Sequence, residues 1–208
     1  MSRGLGDVYK RQTPDIDMLV GHGMGTGSRV LDLGAGTGVF SAAATAVGAN
    51  VVAVDISPAM CEAIRDRGVA HVVQAGMLSY EPDVAEPAFD VVYCRNVLHQ
   101  VPDAWKAIAL NRVFGWLRPG GVLRLRDLAY DVEPDQLVGV LDAWMARGAP
   151  DPTRGYTAAD FEEHVRTEHS TFTWLLEPML AHVGFEIVDR EVHAAIYAAY
   201  TCVRPPIT

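Results

Sequence analysis

Hydrophobic positions along this chain fall into two rhythms: short solid apolar runs, and stretches with a single apolar face. The solid runs cover residues 29–33, 50–55, 70–74, 89–94 and 121–127. Their richness in Val and Leu predicts buried strands. Segments of helical character lie between them. Residues 39–47 are small and alanine-rich, which suits a helix packed close to a sheet. Ser57-Pro58 reads as an N-cap and first helical residue, and Gly68 as the stop. Asp103 is expected to cap a helix running to about Trp116, with Pro119-Gly120-Gly121 as the turn beyond it. Residues 134–146 place Leu137, Val140, Leu141 and Trp144 on one helical face. Residues 172–183 read as a further helix ended by Gly184. The runs 185–192 and 195–203 leave no room for a helix between them, so they must pair antiparallel.

Strand–helix alternation of this kind predicts an α/β fold, a doubly wound, mostly parallel sheet of seven strands closed by an antiparallel terminal hairpin. The stretch 147–171 breaks the alternation and is read as irregular. Loops at that end of such sheets line the binding crevice, which makes it a substrate-side insertion. Residues 13–208 are taken as one domain. Residues 2–12 are set apart, because SRGLGDVYKRQ resembles the translation of a transposase sequencing adapter. Leaving out Arg3, Lys10, Arg11 and Asp7 moves the net charge from -9 to -11.

That acidic balance argues against nucleic acid as the main partner, since neutralising phosphates takes clustered Lys and Arg. No apolar run reaches the roughly 18 residues of a membrane span, and the first residues lack the apolar core of a signal peptide. Cys61, Cys94 and Cys202 are far apart and form no CxxC pair, so neither a zinc site nor a redox dithiol is expected. An odd count of cysteines with no export signal points to a reducing cytoplasm.

The chemistry concentrates in Asp32-Leu33-Gly34-Ala35-Gly36-Thr37-Gly38, where the first strand meets a helix. Its glycines permit a tight turn and close approach of a ligand, and the helix start offers unpaired N–H groups. The next strand ends in Asp55, an acid placed to accept from both hydroxyls of a ribose. Together these indicate an adenosine-containing cofactor. A dinucleotide fingerprint needs glycine where Val39 stands, and Asp32 would repel a pyrophosphate. The acid suits instead the cationic end of S-adenosylmethionine. No Lys-Ser or Lys-Thr follows the glycines, which excludes a P-loop.

With its neighbours, this loop resembles the class I S-adenosylmethionine-dependent methyltransferases. VLDLGAGTG (30–38) is similar to their first motif, VVAVDISP (51–58) to the second, FDVVYCRNVLH (89–99) to the fourth-strand motif, and LRPGGVL (117–123) to the turn into the fifth strand. The resemblance implies a Rossmann-like fold and S-adenosylmethionine as cofactor. It implies that Asp32 meets the methionine amino group and that Gly34, Gly36 and Gly38 form the cradle. Asp55 would hold the ribose, Ile56 the adenine face, and Arg95 would present its carbonyl near the methionine end. The family's acid after the third strand is missing here. Adenine recognition would then fall to Gly76 and Met77.

The acceptor half is less legible. His99 is the one candidate for a base, since a dedicated base is needed only for a weakly acidic hydroxyl or a protonated amine. Tyr130, Trp144, Tyr156, His164, His169 and Trp174 are further pocket candidates. The Asn/Asp-Pro-Pro-Tyr motif of base and amide N-methylation is absent after the fourth strand, which favours a small-molecule acceptor. His164 and Glu168, spaced i,i+4, share a helix face, but no third ligand is evident, so no metal is expected. A cofactor-binding regulatory or partner protein without its own catalysis is the alternative to an active methyltransferase.

Overall fold

The computed structural model describes residues 14–83 and 89–206. The adapter-like segment 2–12 lies outside them. A helix, α1, occupies 14–21. It is followed by β1 (Arg29–Leu33), α2 (Val39–Ala46), β2 (Asn50–Asp55), α3 (Pro58–Asp66), β3 (His71–Gln74) and β4 (Phe89–Arg95). A single 3-10 turn, Leu98–Gln100, leads into α4 (Asp103–Trp116) and β5 (Leu117–Tyr130). Then come α5 (Leu137–Met145), α6 (Ala158–Thr167), β6 (Thr171–Phe172), α7 (Thr173–Val183), β7 (Glu186–His193) and β8 (Tyr197–Val203).

The strands lie in the order β3-β2-β1-β4-β5-β8-β7, with β6 paired to β5 off this path. β1 to β5 are mutually parallel, and β8 is antiparallel to both β5 and β7. Among the described residues the sheet thus has eight strands, the expected seven along this path and one beside it. The extra one, β6, is two residues long and pairs Thr171 with Ala129 and Phe172 with Tyr130. Phe172 therefore belongs to a strand, and α7 begins one residue later than the sequence predicted.

Three further expectations are corrected. Pro119-Gly120-Gly121 is not a free turn before the fifth strand but lies within β5. The Gly120 amide donates to the Arg204 carbonyl at 2.7 Å, and the Arg204 amide to Gly121 at 2.9 Å, so the chain beyond β8 absorbs the would-be turn into the ladder. Gly120 takes a φ of 78°, which glycine tolerates without strain. Asp103 is the first residue of α4 rather than its cap; the N-cap position is Pro102. The stretch 147–171 also contains α6, opened by a capping box in which the Thr157 hydroxyl accepts from the Asp160 amide and the Asp160 carboxylate from the Thr157 amide.

The two sheet faces bury separate cores. On one, Leu31, Leu33, Val92 and Leu123 pack with Leu110 of α4 and Leu176 and Leu180 of α7. On the other, Val30, Val51, Val91 and Tyr93 pack with Ile16 and Leu19 of α1 and Phe40 of α2. A third, smaller cluster joins Leu128, Tyr130, Trp144 and Ile196 to Phe161 and Tyr197, and packs α5 and α6 against the β7–β8 hairpin. Chain order reverses between β1 and β4, so a crevice opens beyond their carboxyl ends. The loops after β1, β2, β3 and β4 all reach it.

Candidate active site

Two adjoining cavities follow this crevice. One, of about 280 Å³, is lined by Asp32, the loop from Gly34 to Thr37, Phe40, Tyr93, Arg95 and Asn96. The other, of about 570 Å³, is lined by Gly34, Gly36, Asp55, Ile56, residues 75–79 and residues 95–97. Gly34, Gly36, Arg95 and Asn96 belong to both, so the two form one elongated groove. Gly36 faces open space where a Cβ would sit, while a Cβ on Gly34 would lie 2.3 Å from Val97 Cγ2. The first glycine keeps the groove open to a ligand, and the second lets the loop close on the segment after β4.

Each half of the groove carries its own acid. Asp55 accepts from the Gly36 amide at 2.8 Å and from the Ser57 amide at 2.9 Å, which ties the glycine loop to the end of β2. Asp32 is buried and accepts from the Ser41 hydroxyl at 2.5 Å. Burial raises its pKa to about 7; the Ser41 hydrogen bonds oppose the shift and the neighbouring charge of Asp55 adds to it. Ile56 is 71% exposed, an apolar side chain held open on the wall of the larger half. This donor set fits the group implied by the sequence: a cation beside Asp32, a diol beside Asp55 and a flat apolar ring against Ile56, Gly76 and Met77.

Beyond Asn96 lies a third cavity of about 410 Å³, lined by His99, Gln100, Leu128, Trp144, Tyr156, Asp160, Phe161, His164, Glu168 and Tyr197, among others. Its centre is His99, which is buried. Asp127, within the carboxyl-terminal part of β5, organises it. That carboxylate accepts from the amides of Val97 at 3.0 Å and Leu98 at 2.7 Å, and meets His99 Nδ1 at 2.5 Å. On the other side His99 Nε2 lies 2.8 Å from Glu168 Oε2. Burial alone would lower the His99 pKa, but the hydrogen bond and charge of Asp127, with the charge of Glu168, outweigh it and raise the pKa. His164 shifts the other way, lowered by burial and by the nearby His99 despite the closeness of Glu168.

The segment carrying Glu168 is anchored from α4. Buried Lys106 donates to Asp103 at 2.7 Å and to the His169 carbonyl, and Thr171 donates to Asp103 at 3.2 Å. The His169 amide donates to the His99 carbonyl at 2.6 Å.

The structure brings Asp32, Gly34, Gly36, Asp55, Ile56, Gly76, Met77 and Arg95 to the groove. Gly38, expected in the cradle, lines neither half. A Cβ there would meet the Ile64 backbone at 3.1 Å, so this glycine lets α2 pack on α3. His99, Trp144, Tyr156 and His164 line the third cavity. Tyr130 is instead buried in the small core, its ring packed edge-on against Phe172. Trp174 is 47% exposed and stacks on Phe172. His169 acts through its backbone. Sequence reasoning missed Asp127, whose signal was an acid closing the fifth strand run, and Asn96, Phe161 and Tyr197.

A methyltransferase-domain family model matches residues 15–189, and the chain belongs to that family. Among curated relatives, a ubiquinone biosynthesis O-methyltransferase of Xanthomonas campestris pv. campestris (strain B100) is 34% identical over 134 residues, covering 62% of this chain and 55% of the relative. The chain thus spans about half the length of the curated relatives it matches. Two solved structures share the fold at low identity. The 1,6-didemethyltoxoflavin-N1-methyltransferase of Burkholderia thailandensis, with bound 1,6-didemethyltoxoflavin and S-adenosylhomocysteine, aligns with a TM-score of 0.66 and 19% identity over 98% of this chain and 82% of its own. The magnesium protoporphyrin IX methyltransferase of Synechocystis PCC 6803, with bound S-adenosylhomocysteine, gives 0.67 and 18% over 95% and 84%. Among the described residues, no helix is long and apolar enough to cross a membrane.

Proposed function

We propose that this chain transfers the methyl group of S-adenosylmethionine to a small-molecule acceptor held beside His99. The observation that carries the reading is Asn96. It lines both halves of the groove and the third cavity, so ligands in the two sites would meet at this residue. Its φ of 56° is left-handed, a conformation costly for most non-glycine residues but readily adopted by asparagine. The Asn96 amide donates to the Arg126 carbonyl at 2.8 Å, which holds the bend. Residues from 13 onward act as one domain, in which 147–171 supplies the acceptor side.

S-adenosylmethionine supplies an electrophilic methyl on a sulfonium. The chain's contribution is alignment and exclusion of water. Asp32 holds the ammonium end, Asp55 the ribose, and Ile56 with Met77 the adenine. Trp144, Phe161 and Tyr197 give the acceptor cavity an aromatic wall beside the polar groups of His99, Asp160 and Glu168, a mixed lining suited to a small ring that carries polar substituents. The acidic chain lends no support to a nucleic-acid acceptor.

Calorimetric titration with S-adenosylhomocysteine, followed by an assay of its release from S-adenosylmethionine across small hydroxylated and amine acceptors, tests the reading. Binding with turnover on at least one acceptor is expected. Absence of binding would sink it, and tight binding without turnover on any acceptor would favour a non-catalytic partner protein.

The raised pKa of Asp32 adds a pH signature. The ammonium needs the ionised carboxylate, and the free protein holds that proton up to about pH 7. Binding should therefore release a proton near neutrality. Affinity for S-adenosylhomocysteine should be full well above pH 7 and fall about tenfold per unit as pH drops below it. Titrations in buffers of different ionisation enthalpy would read the proton directly. A flat profile from pH 5.5 to 8.5 would remove Asp32 from the ammonium site.

A further inference from the structure

We propose that His99, His164 and Glu168 form a binding site for a divalent transition-metal cation, zinc being the best match, in the wall of the acceptor cavity. The ligating atoms of all three lie within 4.8 Å of one another. Two come from the last turn of α6 and its C-cap, at i and i+4, and the third from the 3-10 turn after β4.

What distinguishes this cluster from a chance meeting of polar side chains is the use of the other ring nitrogens. In metal sites a ligating histidine gives its second N–H to a carboxylate or other acceptor, which fixes the tautomer and aims the free lone pair. Both histidines here are held in that way. Asp127 engages His99 Nδ1 at 2.5 Å, and the Ser170 hydroxyl engages His164 Nε2 at 3.1 Å. His99 Nε2 and His164 Nδ1 are left, and they converge on the two oxygens of Glu168, at 2.8 and 3.5 Å. Trp144 packs edge-on against the His164 ring at 5.5 Å, which further fixes its direction.

Glu168 Oε2 is buried without an aligned hydrogen-bond donor. A buried carboxylate oxygen left short of donors is what a cation would satisfy. Two imidazoles and one carboxylate form the three-ligand set of catalytic zinc sites, with a fourth position open. The same donors disfavour magnesium and calcium, which take oxygen-rich shells. Ligand atoms around a tetrahedral ion at about 2.0–2.2 Å sit roughly 3.3–3.6 Å apart, so shifts of about 1–1.5 Å suffice. Glu168, partly exposed and outside the helix interior, is free to make it. Asp127 and Glu168, which favour a proton on His99, favour a dication more.

All three residues line the third cavity, so an open position on the ion would be reached from it. Its use, to take an oxygen of the acceptor and orient it, rests on the function proposed above; the cation site itself does not.

The test uses untagged protein stripped with EDTA and desalted, titrated with zinc chloride by calorimetry and by competition with a chromophoric chelator. One zinc per chain is expected, with no comparable binding of magnesium. His164→Ala and Glu168→Gln should each weaken zinc by about tenfold or more, and Asp127→Asn by about 10- to 100-fold through its hold on His99. His182→Ala, on the exposed face of α7, should leave it unchanged. Circular dichroism and S-adenosylhomocysteine titration on the same samples show whether each variant keeps its fold and groove. Absence of stoichiometric zinc uptake by the wild-type chain would overturn the proposal. So would undiminished binding in folded His164→Ala and Glu168→Gln. Neither result would touch the cofactor groove.

Discussion

Asp15→Ala is expected to destabilise the fold by about 3 kcal/mol, the lower end of the range for breaking a buried ion pair from one side. The Asp15 side chain is 1% exposed and that of Arg124 3%. Its carboxylate accepts from Arg124 at 3.1 Å, from Arg126 at 2.7 Å and from the Tyr93 hydroxyl at 3.0 Å. One carboxylate on α1 thus satisfies three donors from β4 and β5, and fixes that helix on the sheet. Its removal leaves a buried guanidinium and a buried phenol short of acceptors. The lower end of the range applies because Arg124 keeps Glu191 at 2.7 Å and Thr201 at 3.1 Å. Chemical denaturation monitored by circular dichroism would read the loss, and less than about 1 kcal/mol would contradict it. A second effect follows through Tyr93, which stacks on Phe40 at 3.7 Å and lines the groove beside Asp32. Cofactor affinity should fall as well, by less than with a direct contact residue.

The Asp15 network also marks where sequence reading stops. The strands were legible because their apolar runs need no partner to be recognised, and the glycine loop because its chemistry is local. Asp15, Arg124 and Tyr93 are scattered along the chain, and no periodicity links them. The third cavity has the same character: His99 finds Asp127 on β5 and Glu168 beyond α6, each a different distance away in sequence. Spacing alone could pair His164 with Glu168 but could not supply His99. Helix α6 was not set out as an element because it fully buries no residue and its apolar face is short, Ala158, Phe161 and Val165, although Thr157 and Asp160 stand at capping-box spacing and His164 and Glu168 at helical spacing. The strand β6 is too short for any alternation to show. Residue type suggested Tyr130, His169 and Trp174 as pocket walls, but type says nothing of direction. The fold turns Tyr130 into a core and Trp174 outward, and uses His169 through its backbone.

The largest effect on cofactor affinity is expected at Asp55, where local sequence and three-dimensional contact agree. Asp55→Ala should weaken S-adenosylhomocysteine by about 3 kcal/mol, a factor of roughly 150. Two losses combine. In the proposed reading this carboxylate takes the ribose hydroxyls, and charge-assisted hydrogen bonds of this kind contribute about 1.5–3 kcal/mol each, not fully additively. It also holds the Gly36 and Ser57 amides, so the glycine loop loses its tie to β2. With the third-strand acid of the resembling family missing, the adenine end offers Ile56, Gly76 and Met77, none with a charged partner to compensate. Asp55→Asn separates the two roles. Its amide oxygen can still accept from Gly36, so the loop stays ordered while the charge is lost, and affinity should fall between wild type and alanine. Calorimetry on both variants reads the difference. Equal and small losses in the two, under about tenfold, would mean that the ribose is held elsewhere and that Asp55 is only a fastener for the loop.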